Sequence, residues 1–235
     1  MLFATPSFAL AETAGTLHEE TTREEAAGPE AEVEANAEYI HSMGFQKAAL
    51  NDRMINTLNR DYSYVDPSGM IPNGLLASAL SYYEANQSKI ANKAYLGVVD
   101  FSANASKARF FIINMSTGAV SAFHVAHGSG SDKNNDGYAE KFSNVSGSNA
   151  SSLGYYLTAE TYNGKHGYSL RLDGLSSTNS HVRARAIVIH GASYVYDSNT
   201  KAGRSWGCLA VSMASRDKVV KMMKGGALIY AGLSK

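Results

Sequence analysis

One cysteine in 235 residues has no partner within the chain, so no internal disulfide staples this fold. No apolar run reaches the roughly 18 to 20 residues that cross a bilayer, which leaves no membrane-spanning helix to be read from the sequence. The seven histidines never fall into the H-E-x-x-H or H-x-x-x-H spacings of zinc peptidases. No phosphate-cradling or dinucleotide glycine motif is present either, and no cofactor is expected. Net charge is also lacking, with 21 basic against 21 acidic residues.

That zero hides a separation. Nine of the acidic residues and one arginine lie in 12–38, which leaves 20 basic against 12 acidic in 39–235. The Glu-rich stretch cannot bury enough apolar surface to fold alone, so 12–35 reads as a disordered leader. The basic body suits a polyanionic surface such as cell-wall polymer. No basic cluster interleaved with aromatics supports nucleic acid as a partner. Residues 1–11 carry no charge and end in Ala9-Leu10-Ala11, the small-x-small pattern of a signal-peptidase site. They read as a signal-peptide remnant, and the protein as exported to the periplasm or cell envelope.

Leu50, Met54 and Leu58 recur at four-residue steps and predict a helix over 36–60. Leu76, Leu80, Tyr83 and Ile90 predict a second over 74–91, after the turn signals at 66–69 and 72–74. Residues 36–94 thus form a helical extension. From residue 95 the period changes. The runs 95–102, 108–115, 119–127, 153–160, 168–172, 184–190 and 227–233 are apolar, β-branched or aromatic, and read as strands. One helix, over 213–224 with Ser212 as N-cap, interrupts them. The fold class is mainly β, a mostly antiparallel sandwich or barrel over 95–235. The Gly/Ser/Asn-rich stretch 128–151 reads as a long loop of the kind that is functional or mobile.

The residues that carry chemistry concentrate between His190 and Cys208. A thiol attacks a carbonyl as thiolate, and a neighbouring imidazole takes its proton. The tetrahedral intermediate then needs backbone N–H donors at the oxyanion. Gly207, directly before Cys208, lets the chain turn sharply enough to aim such donors.

The pattern His190-Gly191, an intervening loop, then Ser205-Trp206-Gly207-Cys208 and an apolar residue resembles the signature of YkuD-type L,D-transpeptidases. Within that group it is most similar to the murein L,D-transpeptidase catalytic domain family. VVDFS (98–102), VAHGSGSD (125–132), SSLGYYLTAETYNGKHGYSLRLDGL (151–175), RARAIVIHGASYV (183–195) and GRSWGCLAVS (203–212) extend the resemblance over about 74–233. It implies a β-sandwich and an acyl transfer. Cys208 would be the nucleophile, His190 the general base, and the N–H groups of Gly207 and Cys208 the oxyanion hole. The substrate would be the bond between a diamino acid and D-alanine in a peptidoglycan stem tetrapeptide, and carbapenems would acylate the same thiol. Passing the acyl group to water instead would make the protein an L,D-carboxypeptidase. A non-catalytic wall-binding module on the same fold is the third reading.

Two positions depart from the better-known pattern. Trp206 stands where histidine precedes the glycine, and Ala210 where arginine follows the cysteine by two. Gly191, Arg204, Ser205, Trp206 and His127 are the candidate substrate-binding residues, with Arg204 a possible replacement for the missing cation. His127-Gly128 ends a strand as His190-Gly191 does. Arg183 and Arg185, on the approach to His190, are expected to be solvent-exposed on one face. Asp132, Asn134, Asp136 and Gly137 open like a calcium loop, but Ser143 occupies the position of its bidentate glutamate, so the stretch reads as a polar turn.

Overall fold

The structure is a computed structural model and describes residues 44–47 and 50–234. The signal-peptide and acidic-leader readings lie outside these residues, as does most of the first half of the 36–60 helix. Within them, helix α1 (Asp52–Asp61) begins only after Asn51, whose side chain accepts the N–H of Met54 and so caps it. Leu50 precedes the helix and is exposed; Leu58 is its buried residue. Helix α2 (Asn73–Asn86) follows, and Ile90 lies beyond its end in extended backbone.

Eight strands form one sheet in the order β3-β2-β1-β8-β4-β5-β6-β7. They are β1 (Tyr95–Asp100), β2 (Ala108–Asn114), β3 (Val120–His124), β4 (Gly154–Gly164), β5 (Gly167–Gly174), β6 (Val188–Ala192), β7 (Leu209–Ser212) and β8 (Leu228–Gly232). Five of the pairings are antiparallel; β1–β8 and β6–β7 are parallel. Bridges Val125–Val211 and Gly128–Ser205 draw the β3 end to the β7 end, so the sheet nearly closes into a barrel. The fold is mainly β with a short helical region before it.

Strand alternation builds two cores at once. Val99, Phe110, Ile112, Ile229 and Ala231 point to the interior with Leu170, Ile189, Leu209 and Val211. Their neighbours Leu96, Val98, Phe111, Ile113 and Leu228 point outward, where α1 and α2 cover them. Both faces of β1, β2 and β8 are therefore buried, which is why these strands read as continuous apolar runs rather than as alternation. Tyr82 of α2 stacks on Tyr155 with ring centroids 3.8 Å apart, and Tyr155 on Tyr230 at 4.7 Å, fastening the helix to the sheet.

Three expectations change. The run 184–190 is a strand only from Val188: Ala186 has φ +50°, a left-handed turn that alanine adopts at a cost. Residues 209–212, not anticipated as a strand, form β7. Ser212 is not the cap of the last helix. It ends β7, where its hydroxyl accepts the N–H of Ser215 and donates to Asp197, and helix α3 (Arg216–Met223) starts four residues later.

Candidate active site

The parallel pairing of β6 and β7 brings the two motif residues to neighbouring chains. His190 pairs with Ala210, and Cys208 lies two residues before Ala210 along the chain that becomes β7. Alternation puts Ile189, Leu209 and Val211 in the inner core. His190 is buried, and its Nδ1–H donates to the carbonyl oxygen of Gly191 at 3.0 Å. A carbonyl only accepts, so in the neutral imidazole the proton sits on Nδ1 and the basic lone pair on Nε2. Gly191 has no room for a side chain: a Cβ would come within 2.8 Å of Met213 Sδ and 3.0 Å of Arg216 Cδ.

Cys208 is half-buried, and its Sγ lies 3.7 Å from the carbonyl oxygen of Ala186. The left-handed turn at Ala186 therefore presents its carbonyl to the thiol. Gly207 has φ +117°, and a Cβ there would meet Ala150 O and Ile187 Cδ1 at 2.8 Å. Glycine is required on both counts. Ser205 clamps this turn, accepting from Gly207 N–H at 3.1 Å and donating to Cys208 O at 2.8 Å. The Gly207 amide is thus directed at Ser205 rather than outward. Trp206, two residues before Cys208, is exposed.

The long loop 128–151 folds back on itself. Gly128 N–H donates to Ser151 Oγ and Gly130 N–H to Asn149 O. Its far side is held by Arg185, which donates to Ser143 O, Ser152 Oγ, Ser148 Oγ and Ala150 O. Solvent exposure of Arg183 and Arg185 is thereby corrected, because 183–186 is a turn and not a strand. Arg183 pairs with Asp173 and Glu160 instead. Arg185 also reaches the turn before Cys208: a Cβ on Gly207 would lie 3.2 Å from its Nη2. Burial lowers the affinity of Arg185 for its proton, and the proximity of Tyr156 and Cys208 works against that shift. On another side, burial first and then the proximity of Cys208 push the Tyr194 phenol up.

The catalytic-domain profile of L,D-transpeptidases matches residues 69–231. The chain belongs to that family. A solved L,D-transpeptidase in complex with imipenem is 15% identical, over 59% of this chain and 59% of that one, with a TM-score of 0.37. For Mycobacterium tuberculosis L,D-transpeptidase 1 the figures are 14%, 59%, 61% and 0.34. For the L,D-transpeptidase of Stackebrandtia nassauensis they are 12%, 86%, 91% and 0.36. This chain thus spans about three-fifths of the length of the first two. No curated protein matches it.

In this L,D-transpeptidase domain His127 is fully buried and lines no cleft. It bridges Arg109 and Asp132. Arg109 Nη2 donates to His127 Nδ1 at 2.8 Å, and His127 Nε2–H donates to Asp132 Oδ2 at 3.1 Å. Arg109 comes inside because a bulge between Ala108 and Phe110 breaks the β2–β3 register. It also donates to Val125 O and Ala103 O. Asp132 accepts the N–H groups of Asp136 and Gly137, so the calcium-like stretch is a polar turn wrapped around this carboxylate. Arg204 donates to the Asp132 carbonyl. The cluster positions the turn before Cys208 through the backbone, since Ser205 N–H donates to His127 O and Ser129 N–H to Ser205 O.

Burial first, then the Arg109 charge, lowers the His127 pKa to about 4 from an ordinary 6.5. The folded state keeps this imidazole neutral while the unfolded chain takes up a proton below 6.5, so stability is full above that pH. It should fall by about 3 kcal/mol as pH drops from 6.5 to 4. Urea unfolding across that range measures it. A flat profile would mean that His127 is protonated in the fold, and His127→Gln should remove this part of the slope.

Among the described residues, sequence reasoning missed Arg109, Tyr194 and His166. The ring of His166 stacks on His190 with centroids 4.3 Å apart. Only the even spacing of Gly164-Lys165-His166-Gly167, a two-residue hairpin turn, hinted that residue 166 would stand at a tip.

Proposed function

We propose that this domain is a peptidoglycan L,D-transpeptidase with Cys208 as nucleophile. His190 Nε2 takes the thiol proton. The Cys208 sulfur bonds to the carbonyl carbon of the diamino acid at the third position of a stem tetrapeptide. The bond to D-alanine breaks, and the proton held by His190 passes to the leaving amine. The amine of a neighbouring stem then attacks the thioester, restores the thiol and leaves a cross-link between diamino acids. The observation that carries this reading is the fixed tautomer of His190, on the strand paired with the one that Cys208 leads into.

With the Gly207 amide engaged by Ser205, the oxyanion falls to the N–H of Cys208 in this proposal, and Arg185 supplies a cation close by. Carbapenems, which present a strained carbonyl, would acylate the same thiol. The location that fits this substrate is the cell envelope, in keeping with Ala9-Leu10-Ala11.

Transfer must outrun water at about 55 M, and oriented acceptors reach effective molarities of about 10⁵ M or more. Trp206, exposed two residues before Cys208, and the closed loop 128–151, whose Ala150 lies against Gly207, are the surfaces on which an acceptor stem would be oriented. Mass spectrometry of the protein incubated with disaccharide-tetrapeptide tests this. The expected products are an acyl-enzyme lighter by D-alanine than the intact adduct, then cross-linked dimer. With Trp206→Ala, product should shift towards free tripeptide. Tripeptide alone from the native protein, even with excess acceptor, would make it an L,D-carboxypeptidase.

A further inference from the structure

His166 stands on an arm. β4 pairs with β8 only through Gly154 to Leu157, and β5 pairs with β6 at Leu170 and Arg171. Between them, 158–169 runs on as a two-stranded hairpin, bent by a bulge between Thr158 and Thr161 and closed where Gly164 pairs with Gly167. Its tip comes back to the active site. The half-buried His166 ring lies on the His190 ring, 4.3 Å between centroids and 27° between planes.

Arg216 of α3 holds this approach in place. Its Cδ would be 3.0 Å from a Cβ on Gly191, and its Nη1 3.2 Å from one on Gly167, where φ is +72°. One side chain therefore packs against both the residue after His190 and the residue after His166.

We propose that His166 is a positioning residue for His190, a role that rests on the reading of His190 as the base for Cys208. The bond from Nδ1 to Gly191 O fixes one edge of the imidazole. A second ring lying on its face resists tilting of the plane and keeps Nε2 aimed for the thiol proton. The stack also has an electrostatic role. When His190 becomes imidazolium, Arg216, which packs against Gly191 and is paired with Asp217, is a nearby cation that opposes it. An aromatic face against the new cation offsets this.

The test is the rate at which iodoacetamide alkylates Cys208 in the full chain near neutral pH, together with the melting temperature. His166→Ala is expected to slow alkylation about tenfold, and His166→Phe, which restores a flat ring without a titratable nitrogen, to recover most of it. In a His190→Ala background the His166→Ala change should have no further effect, because its action passes through His190. Melting temperatures should be alike throughout; if the alanine variant unfolds, His166→Gln, which fills the space without a ring, takes its place.

A wild-type rate in His166→Ala, an equal slowing in the His190→Ala background, or a phenylalanine variant as slow as alanine would each overturn the proposal. Alkylation needs no stem peptide. A protein that fails to process tetrapeptide would sink the transpeptidase reading and leave this result standing.

Discussion

Cys208→Ala is expected to abolish covalent adducts with both tetrapeptide and carbapenem, leaving the protein at its unmodified mass. No other cysteine exists in the chain to take over. His190→Ala should retain the thiol but lose its base, lowering kcat/KM by about 10²- to 10⁴-fold. The two losses differ in kind. Without Cys208 no acyl-enzyme forms at any time, whereas without His190 it forms slowly and accumulates, because the amine or water that resolves it also needs a proton removed. Time-resolved intact mass separates them. An adduct that survives in Cys208→Ala would place the nucleophile elsewhere. A His190→Ala protein as fast as wild type would leave Cys208 an unassisted thiol.

The second large effect is on stability. Arg109→Ala removes a guanidinium that makes hydrogen bonds to Val125 O, Ala103 O and His127, and lies over the Phe101 ring. Burial has already lowered its pKa to about 10, so the folded chain holds this charge at a cost that its partners offset. Cutting it away leaves the Val125 and Ala103 carbonyls and His127 Nδ1 without their charged donor in a dry interior, while Asp132 keeps His127 and the Asp136 and Gly137 N–H groups. The expected loss is about 3 to 5 kcal/mol, since several buried acceptors each lose a hydrogen bond to a charged group. Chemical denaturation of the variant measures it. Arg109→Lys should recover little, since one ammonium cannot span three acceptors set around a planar fork. A loss under about 1 kcal/mol would show the cluster to be dispensable. Because Ser205 N–H bonds to His127 O, residual folded variant should also alkylate Cys208 more slowly.

Much of this architecture is legible in the sequence. The strands at 95–100, 108–114 and 228–232 announced themselves because both their faces are buried, which makes each a nearly continuous apolar run. His190 and Cys208 stood out because their motif is local in sequence. What escaped notice has physical reasons. β7 is four residues long and adjoins the motif, too short for any period to register. The turn at Ala186 has no glycine to flag it. Arg185 looked like one of two surface arginines because strand alternation was extended through a segment that is not a strand. Arg109, flanked by apolar neighbours in a strand, gives no local sign that a bulge will swing it inward. His166 lies 24 positions from His190, and only the hairpin's reach past the sheet edge brings their rings together.

The placement of β8 bears on how the chain acquires its shape in time. It is the last strand among the described residues, yet it sits between β1 and β4, and its alternate residues enter both the interior core and the layer beneath the helices. Until the ribosome has released residues 228–232, β1 and β4 have nothing to pair with on their facing edges, and neither hydrophobic layer can close. Folding is therefore committed only once β8 is available. The loop closures that complete the sheet span more than 130 residues between β1 and β8, which makes them slow. A nascent chain with two open strand edges offers a long interval in which a chaperone can hold it extended.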